Sequence, residues 1–166
     1  MAVRTLSLMS RRTVTGAGVI TTALLVLLFG NQAVTEWVHN HTNGANLWGW
    51  FLRQLTWPSW LLGPSDTVSA RGVLSEDLRA LLLIAFVGAI LGMVSKGIAA
   101  GAGGFFLGWA SLVFASALAA FLTAFILESP TLIQALTNAA AGSAYGLFVG
   151  WIVGIATASA KKVSSG

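Results

Sequence analysis

Residues 132–158 read LIQALTNAAAGSAYGLFVGWIVGIATA, a stretch without one Asp, Glu, Lys or Arg. A helix of that length rises about 40 Å, more than the roughly 30 Å of a bilayer's hydrocarbon. Such a helix has no polar face to turn toward water. Lipid is the solvent that suits it.

Working outward, three more apolar runs can be read, so that helices are expected over about 14–35, 78–95, 98–127 and 132–158. Across all 166 residues, 56% are hydrophobic, 8% are charged and the mean hydropathy is +0.82. A soluble domain carries about 25% charged residues, so this chain could not cover itself for water. The expectation is an all-α polytopic membrane protein: a single membrane domain over 1–166, with four transmembrane helices and a Trp-rich outer loop over 36–77.

The basic residues report orientation. With the N-terminus inside, Arg4, Arg11, Arg12, Lys96, Lys161 and Lys162 face the cytoplasm, and Arg53, Arg71 and Arg79 face out. Six against three is the positive-inside bias, which places the protein in the plasma membrane with both termini cytoplasmic. Glu36, Asp66, Glu76, Asp77 and Glu128 then all fall outside. A net charge of +4 dispersed in this way does not make a nucleic-acid surface. Ser10-Arg11-Arg12-Thr13 ahead of an apolar run has the outline of a twin-arginine export signal. It lacks the bulky apolar pair after the arginines, so the segment is read as a retained anchor.

Glycines mark the helix faces. Gly142, Gly146, Gly150 and Gly154 recur every four residues and so form one stripe, with Gly104 and Gly108 in the third run and Gly88 and Gly92 in the second. Between membrane helices glycine lets backbones approach closely. This resembles, in packing only, the glycine zippers of oligomeric membrane proteins. Two readings stay open: packing within the chain, and assembly with copies of itself or other subunits. Phe86-Val87-Gly88-Ala89-Ile90-Leu91-Gly92 also echoes Phe148-Val149-Gly150-Trp151-Ile152-Val153-Gly154, and Gly16-Ala17-Gly18 echoes Gly101-Ala102-Gly103. These echoes outline two repeated helical hairpins.

Local punctuation adds detail. Ser129-Pro130 is a natural cap for the fourth helix, and Ser75-Glu76-Asp77 for the second. In the outer loop, Trp48, Phe51, Leu52 and Leu55 repeat at helical spacing, predicting a short helix that lies at the interface or plugs against the bundle, ended by Pro58. Trp50, Trp57 and Trp60 join Trp48 and Phe51 as interfacial anchors.

The search for chemistry is mostly negative. Glu36, His39 and His41 are a fragment of a metal site without a second set of ligands. No Cys is present, no serine sits in an activating context, and no phosphate loop precedes a Lys-Ser pair. Ionisable residues near a helix centre would mark a proton or ion path, and none is found. Gln134, Asn138 and Ser143 are the intramembrane polar residues best placed for interhelical hydrogen bonds, or to line a pore in an oligomer. The reading is a non-enzymatic subunit without a cofactor or metal, assembling through glycine faces in the bilayer. A small homo-oligomeric channel is the alternative.

Overall fold

In the computed structural model, residues 13–63, 68–95, 101–127 and 129–160 are described. Six helices follow in order: α1 (Val14–Phe29), α2 (Gln32–His41), α3 (Leu47–Leu55), α4 (Ala70–Val94), α5 (Ala102–Leu127) and α6 (Leu132–Ala158). Three of them, α4, α5 and α6, are long and apolar enough to cross a membrane, and α1 is a shorter apolar helix. Arg4, Arg11, Arg12, Asp66, Lys96, Glu128, Lys161 and Lys162, on which the orientation argument leans, lie outside the described residues. Ser10 of the export-signal outline does too.

The first expected span is shorter than its sequence suggested. Helix α1 ends at Phe29 because a chain segment crosses its end: Trp60 N–H donates to the Gly30 carbonyl (2.8 Å) and Trp60 Nε1 to the Val26 carbonyl (3.2 Å). A β-carbon on Gly30 would run into the Pro58 carbonyl, so only glycine permits this crossing. Asn31 then caps a new helix, accepting from Ala33 N–H at 2.8 Å. The sixteen residues of α1 rise about 24 Å, less than the hydrocarbon thickness.

The second expected span begins earlier than residue 78. Ser69 is the cap of α4, and Ser75, Glu76 and Asp77 lie inside the helix rather than ahead of it. The cap of α6 is Thr131, two residues beyond Ser129. Thr131 accepts from Gln134 N–H (3.3 Å) while the Gln134 carboxamide oxygen accepts from Thr131 N–H (2.8 Å), a reciprocal capping box.

The centre of the bundle is the α5–α6 hairpin. Every glycine of the α6 stripe faces α5 of the same chain: Gly142 meets Ser116, Gly146 meets Val113, Gly150 meets Trp109 and Gly154 meets Phe105. Gly104 and Gly108 return the contact from α5 onto Thr157. A β-carbon at Gly142 or Gly146 would strike backbone atoms, which cannot swing aside. The backbones are therefore as close as glycine allows, and the gain is dispersion contact along the whole seam. Among the described residues two side-chain hydrogen bonds cross it, from the Thr157 hydroxyl to the Gly104 carbonyl at 2.6 Å and from Trp109 Nε1 to the Leu147 carbonyl at 3.1 Å. Leu83, Val87 and Leu91 of α4 and Leu112, Val149 and Val153 of the hairpin are fully buried around it.

The hairpin echoes diverge in three dimensions. Gly88 meets Val19 of α1 much as Gly150 meets Trp109 of α5, but Gly92 faces open space where Gly154 is packed. Gly16 lies inside α1, whereas its counterpart Gly101 precedes α5 with a φ of +93°.

Candidate functional site

The polar residues gather at one end of the bundle, where α4 and α6 begin and α5 ends. The segment 56–63, after α3, lies across this end and is tied to the first half of α4. Ser59 Oγ donates to Glu76 Oε2 (2.7 Å), and Leu61 N–H donates to Asp77 Oδ1 (2.8 Å). Glu76 and Asp77, adjacent in the helix, thereby hold two points of one loop.

Arg79 is the hub. It pairs with Glu76 at 3.0 Å, and its Nε approaches the Thr123 hydroxyl of α5 at 3.4 Å. Its guanidinium lies over the Trp57 ring, 5.2 Å from the centroid, and the same indole stacks on Tyr145 of α6 at 5.2 Å. With the Arg79 side chain only 16% exposed, the ion pair is screened less than a surface pair would be. Ser75, fully buried, adds a hydrogen bond to the Thr123 carbonyl at 3.3 Å. The hydroxyl of Tyr145 is buried without a hydrogen-bond partner among the described residues. This arrangement is a clasp: acids, a guanidinium and an aromatic pair satisfy one another and fasten the loop to three helices. Sequence reading placed Arg79 at a helix end and missed Thr123 and Tyr145 as its neighbours. The signal was present only as Trp57 and Arg79, twenty-two residues apart in sequence and without a shared motif.

The short helix expected around Trp48 and Phe51 is α3. It is seated against the middle of α6, with Trp50 edge-on to Phe148 at 4.6 Å. Leu47 and Trp48 stay exposed beside it, and Trp48 and Phe51 approach at 6.1 Å. Arg53 Nη2 donates to the Thr42 carbonyl (2.7 Å) and the His39 carbonyl (3.3 Å), a cation at the negative end of α2. Residues 36–41, read as a polar loop, belong to that helix. The histidines serve its backbone: His39 Nδ1 donates to the Thr35 carbonyl (2.8 Å) and His41 Nδ1 to the Trp37 carbonyl (3.0 Å). Among the described residues no group of three metal-binding side chains is brought together.

The expected intramembrane polar residues part company. Gln134 is taken up in the capping box, and Ser143 donates to its own helix at Ala139 (3.0 Å). Asn138 is exposed and makes no hydrogen bond among the described residues. Hydrogen bonds within the hairpin come instead from Thr157, to the Gly104 carbonyl, and from Trp109, to the Leu147 carbonyl. Gln134, Thr137 and Asn138 line an open cleft of about 490 Å³ with Ser69, Arg71, Ala124 and Pro130.

The class that this fold defines is an all-helical protein with three apolar helices able to span a bilayer, compatible with a membrane-embedded protein. Compared with protein-family models, characterised proteins and solved structures, the chain finds no match.

Proposed function

We propose that the chain is a non-enzymatic subunit of a membrane complex, formed with copies of itself or with other membrane proteins. Its α6 glycine stripe builds the chain's own hairpin, so the contacts with neighbours fall to its lipid-exposed flanks. The observation that carries this reading is where polarity stops on the exposed side of α6. Gln134, Thr137 and Asn138 are exposed near its start, and beyond them Ala141, Leu147, Phe148, Trp151 and Ile155 are exposed and apolar. A pore in an oligomer needs a polar seam through the full thickness, whereas an apolar flank suits lipid or another helix. The excess of basic residues on one side of the apolar runs favours a plasma-membrane location with cytoplasmic termini.

The test is native mass spectrometry of the protein extracted into nanodiscs, with co-purifying chains identified. A complex of fixed stoichiometry is expected. A lone monomer across a range of gentle extractions would overturn the subunit reading. Conductance in planar bilayers that Asn138→Leu alters would replace it with the channel.

A further inference from the structure

The cleft at the start of α6 has a chemistry of its own, independent of any protein partner. Among the described arginines, Arg53 is held by two carbonyls and Arg79 by Glu76 and Thr123. Arg71, in the first turn of α4, is exposed on the cleft wall and has neither an ion pair nor a hydrogen bond among the described residues. Across the cleft, Asn138 presents a carboxamide that is likewise unengaged, beside Gln134 and Thr137 of the same helix. A free carboxamide facing hydrocarbon would be costly, so its surroundings supply polar groups.

Depth decides which groups. With Ala158 set at the opposite boundary of the hydrocarbon, the twenty steps back to Asn138 rise about 30 Å, which puts Asn138 where acyl chains give way to ester groups. Arg71 shares the cleft with Gln134 and Pro130, one to two turns nearer the end of the bundle, at the level of phosphates. Leu74, Phe125, Leu132, Ile133 and Leu136 are all exposed at this end. The cleft is thus a polar notch at an end of the bundle that also exposes apolar side chains, with Leu74 one turn along α4 from Arg71.

We infer that this cleft binds one anionic phospholipid. Its phosphodiester pairs with Arg71, its glycerol esters accept from the Asn138 and Gln134 carboxamides, and its chains run past Leu74 into the bilayer. Arginine suits phosphate because its planar fork donates two parallel hydrogen bonds. A volume of about 490 Å³ accommodates a headgroup and glycerol but not the chains, which remain in the bilayer. Soluble phosphate would satisfy Arg71 alone and leave Asn138 unexplained.

The test uses the full chain, delipidated in detergent and titrated with phosphatidylglycerol or phosphatidylcholine, with bound lipid counted by native mass spectrometry. Wild type retains one phosphatidylglycerol in preference to phosphatidylcholine. Arg71→Gln lowers phosphatidylglycerol retention about five- to tenfold and erases the preference. Asn138→Leu weakens both lipids about two- to fivefold, because both carry the esters. Helical content and melting of each variant, followed by circular dichroism, stay at wild-type values because both side chains are exposed. Undiminished selectivity in Arg71→Gln would overturn the site. Displacement of the lipid by millimolar inorganic phosphate would overturn the lipid as occupant and leave a free-anion site in its place.

Discussion

Thr157 of α6 reaches across the hairpin seam and donates its hydroxyl to the carbonyl of Gly104 in α5, at 2.6 Å. It also bonds back to Val153 in its own helix at 3.0 Å, so one hydroxyl serves both backbones. The contact exists because Gly104 and Gly108 offer no side chain to hold α6 away. Removing only the hydroxyl, as in Thr157→Val, is expected to destabilise the folded state by about 0.5–1.5 kcal/mol. Reversible unfolding in mixed micelles measures this. A loss of several kcal/mol would mean that the substitution also disturbs packing toward α1, where a β-carbon on Gly18 would meet the Thr157 methyl.

Gly146→Leu and Gly150→Leu test whether the stripe belongs to the hairpin. At Gly146 the added carbon meets the Val113 backbone, and at Gly150 the Trp109 ring and carbonyl. Each substitution should part α5 from α6 and cost at least the 1–3 kcal/mol typical of overpacking, roughly. Gly92→Leu, which enters open space, should melt like wild type. Equal melting of all three variants would show that the seam tolerates separation.

The clasp makes its own prediction. Arg79→Gln removes the partner of Glu76 and the cation above Trp57, leaving a half-buried carboxylate held by Ser59 alone. The segment 56–63 should loosen by about 1–3 kcal/mol while the α5–α6 hairpin stays folded. Backbone hydrogen exchange reads both at once: faster exchange at Leu61 N–H, unchanged exchange in the middle of α6. Uniform acceleration would mean that the clasp holds the whole bundle.

Gly30→Ala separates the two causes of the break after α1. Its β-carbon would collide with the Pro58 carbonyl and the Val26 carbonyl. The loop crossing should be displaced, with a red shift in Trp60 fluorescence as its indole leaves the Val26 carbonyl. An unchanged spectrum would place the break in the Asn31 cap instead.

The sequence by itself determined the class of the protein. Long runs without a charged residue, such as 80–94 and 132–158, are too apolar to be solvated in water, and that follows from composition alone. The four-residue recurrence of Gly142, Gly146, Gly150 and Gly154 likewise fixed a face, because helical geometry leaves no other arrangement. What covers that face was not in the pattern. A glycine stripe fits a partner helix from the same chain or another chain equally well, and only the tertiary structure chose α5 of this one. The end of α1 was equally out of reach. Apolarity carries no signal that α1 stops at Phe29, since the cause is a loop crossing thirty residues later in the chain. The same holds for Arg79, whose partners Trp57, Glu76 and Thr123 come from three separate segments. Local periodicity decides what a segment needs to bury, and long-range packing decides against what.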